Sequence, residues 1–190
     1  MVATASGVPP ARSPGTVIVL TGPPGAGKST VARLLADSWP SSVHLHSDDF
    51  WHYIRRGRIA PYLPQAHRQN QTVMDALAHA AFAYAAGGYQ VICDGIVGPW
   101  FIDVFRTAAT VRSLTLHYVI LRPDESTALH RAASRAGPAL TDPEPIRSLH
   151  RQFADVGGFE GHVIDSTRLS AQATTDAVRH GLAEGTYFLP

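Results

Sequence analysis

The chain has 190 residues, 45% hydrophobic and 16% charged, with a formal net charge of +1. That length suits one domain with a sheet covered on both faces, and the near-neutral balance excludes a global field drawing the protein to nucleic acid or a membrane surface. Cys93 is the sole cysteine, so no internal disulfide forms and a reducing, cytoplasmic setting is expected. No run of residues is apolar for long enough to span a bilayer.

Residues 1–15 are rich in Ala, Ser, Gly and Pro but lack a signal peptide's apolar core, which predicts a disordered leader before a domain over 16–190. Thr16 to Thr21 is a β-branched apolar run, read as the first strand. Gly22-Pro23-Pro24-Gly25-Ala26-Gly27-Lys28-Ser29-Thr30 follows and leads into the helical Val31 to Ala36. Strand, glycine-rich loop and helix is the setting in which this spacing forms a phosphate-binding P-loop. The glycines let backbone amides surround phosphate oxygens, and the start of the helix adds free N–H groups and a positive dipole end. Lys28 reaches the β- and γ-phosphates of a nucleotide, and the Ser29 hydroxyl ligates Mg²⁺.

Trp39-Pro40-Ser41-Ser42 breaks the helix, and Val43 to His46 reads as a short second strand ending in Ser47-Asp48-Asp49-Phe50. His44 and His46 alternate along it; zinc or ordinary polar surface both fit, and no third ligand clusters nearby in sequence. A polar-aromatic segment from Trp51 follows, then a helix expected from about Ala66 to Ala86, with Val73, Leu77, Ala80, Ala81 and Tyr84 on one face. Gln90 to Asp94 makes a third strand, a helix is expected near 101–109, and Leu114 to Leu121 forms a fourth, near-continuously apolar strand. Asp124 caps a helix running to about Arg135. Gly137-Pro138 interrupts, and Asp142-Pro143-Glu144 restarts a helix with Ile146, Leu149, Phe153 and Val156 as its inward stripe. A last strand at His162 to Asp165 and a helix over about 170–183 complete the chain. Five strands alternating with helices give an α/β domain of the P-loop type: a doubly wound parallel sheet with helices on both faces and a short lid at about 131–145.

Ligands bind such sheets at the carboxyl ends of the strands. There the sequence places the P-loop, the Asp48/Asp49 pair and Asp94. Asp94 reads as a Walker B-like aspartate that holds Mg²⁺ through water or bonds Ser29. Of Asp48 and Asp49, either one accepts a substrate hydroxyl's proton while the other caps the next helix or supports Mg²⁺, or both are caps at that helix's start. Arg131 and Arg135 share a helix face before the lid, where they either neutralise charge on a transferred phosphoryl group or belong to an ordinary surface helix. Trp51, Arg55, Arg58, Tyr62 and Asn70 would line a pocket for a polar, hydroxylated small molecule, with Trp100 as a further wall or as packing.

In these motifs the chain resembles the small P-loop kinases: shikimate kinase, gluconate kinase, nicotinamide riboside kinase and chloramphenicol phosphotransferase. Ser47-Asp48-Asp49-Phe50 is similar to their acidic motif after the second strand, which implies Asp48 as the catalytic or substrate-binding aspartate and leaves Asp49 to the metal. Ile92 to Gly95, Arg122 to Arg135 and Val163 to Thr167 look most like chloramphenicol phosphotransferase. In the group the loop after the last strand helps hold adenine, which implies that role for Asp165 to Arg168. The resemblance implies ATP and Mg²⁺ as cofactors and phosphoryl transfer, and leaves the acceptor open: the hydroxyl of an antibiotic, a nucleoside or a sugar-like molecule is each consistent with it. A polynucleotide-end kinase is the alternative that Arg55, Arg56 and Arg58 beside Trp51 and Tyr53 keep open, against the near-neutral charge. A nucleotide-dependent switch is a further one, which lacks an N-K-x-D guanine motif here.

Overall fold

The computed structural model describes residues 13–134 and 142–190. Its sheet runs in the order β2 (Ser42–His46), β3 (Gln90–Asp94), β1 (Val17–Thr21), β4 (Leu116–Leu121), β5 (Val163–Ile164), with all of these pairs parallel. Parallel neighbours need crossovers, supplied by α1 (Lys28–Asp37), α2 (Ser47–His52), α3 (His67–Ala86), α4 (Ile102–Arg112), α5 (Glu125–Ala133) and α6 (Pro143–Gln152), and a last helix, α7 (Ala171–Ala183), follows β5. Alternation along β1 divides the core. Val17 and Val19 enter the layer under α3 and α4, and Ile18 and Leu20 enter the layer under α1 and α7. All five β1 side chains are buried, as a central strand covered on both faces requires.

Several boundaries differ from the sequence expectation. Gly15, placed with the leader, is buried and donates its amide to the Ala85 carbonyl at 2.8 Å. The buried stripe of α3 is turned toward Met74, Ala78, Phe82 and Ala85, while Ala80 is half-buried and Tyr84 is exposed with its ring edge-on to Tyr89. An alanine-rich helix offers more than one self-consistent apolar face, and the bulky Phe82 decides which face turns inward. The last parallel strand is only two residues long. A sixth strand, β6 (Phe188–Leu189), lies antiparallel against the amino half of the same β4 edge, which β5 occupies at its carboxyl half. The segment after β2 holds a short helix, α2, with Asp48 and Asp49 in its first turn and His46 at the N-cap position, so neither carboxylate caps it through its side chain.

The side chains of Asp124 and Asp142 cap α5 and α6, accepting from Thr127 N and Glu144 N. An Arg147–Glu125 pair at 3.6 Å and a His150 bond to the Pro123 carbonyl at 2.9 Å join the two helices. Residues 135–141, the middle of the expected lid and Arg135 with it, lie outside the described residues.

Candidate functional site

The P-loop is buried from Gly22 to Ala26. Gly22 and Gly25 have φ of +138° and +84°, and a Cβ on either would sit 2.0 Å from a carbonyl oxygen, that of Leu121 or Ala128. These two glycines are therefore required twice, by backbone conformation and by the close approach of β4 and α5. Gly27, also at positive φ, precedes the first helical residue Lys28. Lys28 is 6% exposed and folds its Nζ back onto the carbonyls of Gly22 and Pro23, each at 2.9 Å. The ammonium is thus held across the mouth of the loop, where phosphate oxygens would replace those carbonyls. Ser29 and Thr30 emerge on the exposed side.

β3 runs beside β1, and its last residue, Asp94, lies across from Leu20. The Asp94 carboxylate is fully buried, and Ser29 Oγ donates to its Oδ2 at 2.6 Å. Its other oxygen, Oδ1, accepts from His44 Nε2 at 2.6 Å and His46 Nδ1 at 3.0 Å. The register explains this convergence: His46 pairs with Asp94 across β2 and β3, and His44 lies two residues back on the same strand face. Burial alone would raise the Asp94 carboxyl, but hydrogen bonds from His44, His46 and Ser29 outweigh it and hold its pKa well below the usual carboxylate range. The His46 pKa is raised, chiefly by its bond to Asp94 and against the effect of burial. The His46 Nε2 side lies 3.6 Å from Asp48 Oδ2. The two histidines are therefore neither plain surface nor a zinc pair; they hold the Walker B-like carboxylate. Among the described residues no three His, Cys, Asp or Glu side chains gather into a metal site. The oxygen donors present, the Ser29 hydroxyl and the Asp94 carboxylate behind it, fit a hard ion such as Mg²⁺ that takes its remaining ligands from water and phosphate.

Asp48 and Asp49 project from the first turn of α2 and are exposed. Ser47 before them is buried, packed where a Cβ on Gly95 would stand, so the ends of β2 and β3 are in direct contact. Beyond Gly95, Val97 is pinned on both sides: Thr21 Oγ1 accepts from its amide at 2.9 Å, and Tyr118 donates to its carbonyl at 2.7 Å. Neither pin was evident in the sequence, because both depend on side chains reaching across the sheet ends.

The residues expected around an acceptor divide into two groups. Trp51 and Asn70 are 6% and 8% exposed. Trp51 Nε1 donates to Asn70 Oδ1 at 2.9 Å, and Asn70 Nδ2 donates to the Pro61 carbonyl at 2.8 Å. Both side chains are engaged in holding the intervening segment. Arg55, Arg58 and Tyr62 are exposed, and Trp100 is 46% exposed with its ring 5.7 Å from Phe153. Gln69, absent from the sequence expectation, forms two bonds of 2.8 Å to the backbone of Ile59.

At the other end of the site Arg131 Nη2 donates to the carbonyls of Ser166, Thr167 and Leu169 at 3.2–3.4 Å. That ties α5 to the loop after β5. Arg168 in the same loop is exposed, and Asp165 stiffens the turn by accepting from the Thr167 amide at 2.9 Å.

Lys28, Ser29 and Asp94 thus gather at the carboxyl end of the parallel strands, beside the glycine-rich loop. The class is that of the P-loop nucleotide-binding fold. A family model described as an AAA domain, AAA_33, matches residues 17–155, and the chain belongs to that family. No curated protein matches its sequence. Among solved structures it is similar to a gluconokinase from Sinorhizobium meliloti, at 21% identity and a TM-score of 0.68, over 91% of this chain and 94% of that one. The Mycobacterium tuberculosis APS kinase in complex with AMPPNP and APS matches at 17% identity and a TM-score of 0.66, over 90% and 98% of the two chains. The tunicamycin resistance protein of Deinococcus radiodurans matches at 20% identity and a TM-score of 0.63, over 93% and 99%. At such identities these likenesses establish the fold, that of the small P-loop kinases. Among the described residues no helix is long and apolar enough to cross a membrane.

Proposed function

We propose that this protein is an ATP- and Mg²⁺-dependent kinase that phosphorylates a hydroxyl of a small molecule in the cytoplasm. The observation that carries the reading is the 2.6 Å bond from Ser29 to Asp94 beneath a complete P-loop, with two exposed carboxylates at the end of the neighbouring strand. The P-loop from Gly22 to Thr30 cradles the β- and γ-phosphates, and Lys28 leaves its two loop carbonyls for their oxygens. Ser29 would hold Mg²⁺ with Asp94 in support and Asp49 as a further carboxylate, and the bound ion would neutralise charge on those oxygens. Asp48 accepts the proton of the acceptor hydroxyl as its oxygen attacks the γ-phosphorus, and ADP departs with the bond to the β–γ bridging oxygen. His46, beside Asp48, keeps that carboxylate turned toward the metal end of the site. Arg131 holds the loop expected at adenine, with Arg168 at its surface, and Arg135, outside the described residues, is assigned to neutralising charge on the transferred group. Most of the rate enhancement in such a site comes from positioning and fixed charge.

The test is ADP release with Mg-ATP against aminoglycosides, chloramphenicol, nucleosides, sugar acids, shikimate and an oligonucleotide, using wild type and Asp48→Asn. Acceptor-stimulated turnover that collapses in Asp48→Asn while AMPPNP binding survives is the expected result. Turnover indifferent to that substitution removes Asp48 from the chemistry. Stimulation by the oligonucleotide alone replaces the small-molecule acceptor.

A further inference from the structure

Between α2 and the first half of α3 lies a groove of about 630 Å³, inside the range of sites that enclose drug-sized ligands. Its apolar walls are Phe50 from α2, Tyr53 and Ile54 just past that helix's end, Ile59 from the connecting segment, and Val73 and Ala76 from α3. Polar side chains also border it, but two of them are turned away from any occupant. Gln69 is spent on the amide and carbonyl of Ile59, and the Thr72 hydroxyl donates to the Arg68 carbonyl. The exposed Arg68 guanidinium makes no hydrogen bond or ion pair among the described residues.

A site for a wholly polar sugar presents convergent hydrogen-bonding groups; here Gln69 and Thr72 are committed to the chain's own backbone, the long side chains of Gln65 and Arg68 are exposed, and apolar side chains make up most of the wall. The wall is also fixed in advance. Gln69 and Asn70 fasten Ile59 and Pro61, and Trp51 fastens Asn70. Along the same stretch Tyr53, Tyr62 and Leu63 remain 70%, 55% and 41% exposed, a concentration of apolar surface that marks an interaction site. The groove opens close to the proposed chemistry. Tyr53, at the C-cap of α2, donates its amide to the Asp49 carbonyl at 3.0 Å, one turn or about 6 Å along the axis, and Asp48 leaves the same first turn.

We infer that the acceptor is amphiphilic: an aryl or alkyl body lies in this groove while its hydroxyl reaches the first turn of α2. This rests on the kinase reading for the hydroxyl's fate, but the apolar subsite itself is measurable as binding. A protein partner would need a broader contact than a groove of this volume offers.

The experiment is isothermal titration of the full chain with Mg-AMPPNP bound, using glucose, octyl β-glucoside below its critical micelle concentration, and 4-nitrophenyl β-glucoside. The same titrations are run on Ala76→Glu, which places a carboxylate in the groove at an exposed position of α3, and on Tyr53→Ser. We expect at least one of the two glucosides to bind tenfold or more tighter than glucose, and either variant to remove most of that gain. AMPPNP affinity reports that each variant is folded. If neither glucoside outbinds glucose, or the gain survives both substitutions, the apolar subsite is excluded. Because no turnover enters this readout, glucoside binding without acceptor-stimulated ADP release overturns the kinase reading and leaves the groove standing. Turnover on polar acceptors without glucoside binding does the reverse.

Discussion

The loop from Gly22 to Ala26 is buried and closed by backbone contacts, whereas the segment from Tyr53 to Leu63 keeps much of its aromatic and apolar surface in water. One end of the site is shaped by main chain and the other by side chains. Phosphate is the same ligand in every nucleotide, so amides and glycines suffice to bind it and the conformation leaves little room for variation. An acceptor differs from one enzyme to the next, and its pocket is set by side chains on short, irregular chain that tolerates exchange. The contrast also locates rigidity. Around the P-loop it comes from the sheet, and around the segment proposed to meet the acceptor from a few side-chain-to-backbone bonds.

The substitution that would most damage the acceptor end is Asp48→Asn, expected to lower kcat by about 10²- to 10⁴-fold with nucleotide affinity retained; a rapid-quench assay reads the chemical step. A loss confined to KM for the acceptor would reduce Asp48 to a binding group. At the phosphate end Lys28→Ala should cost about 10²- to 10³-fold in kcat and also weaken AMPPNP in titration, which Asp48→Asn does not. Equal effects of the two substitutions on AMPPNP binding would erase the distinction between the ends.

Asn70→Ala tests the side-chain scaffold. It leaves the buried Trp51 Nε1 without its acceptor and frees Pro61, at a cost of about 1–3 kcal/mol, or roughly 2–12 °C in melting temperature. The acceptor KM should rise and the ATP KM hold. An unchanged melting temperature would mean that water replaces the amide and that the segment is held otherwise.

The smallest effect is expected from His46→Ala, and it depends on pH. The folded His46 pKa is raised, chiefly by the bond to Asp94, so its stabilisation is complete below the unfolded value of about 6.5 and declines as pH rises through the folded value. Asp94 behaves oppositely: its depressed pKa gives stability that persists above the ordinary carboxylate range and is lost only as pH falls through the low folded value. The melting-temperature gap between wild type and His46→Ala should be widest near about pH 5–6 and narrow above about pH 8. A gap that widens with pH would contradict the arrangement.

The P-loop was legible because its chemistry is written in nine consecutive residues, and Asp94 because a carboxylate ending a buried apolar strand stands out. The order of helices and parallel strands followed from the same patterning. The histidine clamp was not legible, since His46 meets Asp94 only through the register of β2 on β3, 48 positions apart in the chain. Trp51 and Asn70 carry groups suited to a ligand, and only the fold shows them satisfying each other. Tyr84 fits the helical period as well as Phe82 does, and tertiary packing chose between them.

The shared edge of β4 has a practical consequence. Two strands of two residues each, β5 and β6, cover successive halves of it, and the Tyr118 amide also donates to the Tyr187 carbonyl at 2.9 Å. Removing residues 186–190 would uncover backbone donors and acceptors at Leu116 and His117 beside a hydrophobic strand, a template on which another chain can pair. Trimming the carboxyl terminus, or tethering a bulky fusion close to Phe188, would therefore show first as loss of solubility and strand-mediated self-association, well before any loss at the distant nucleotide end.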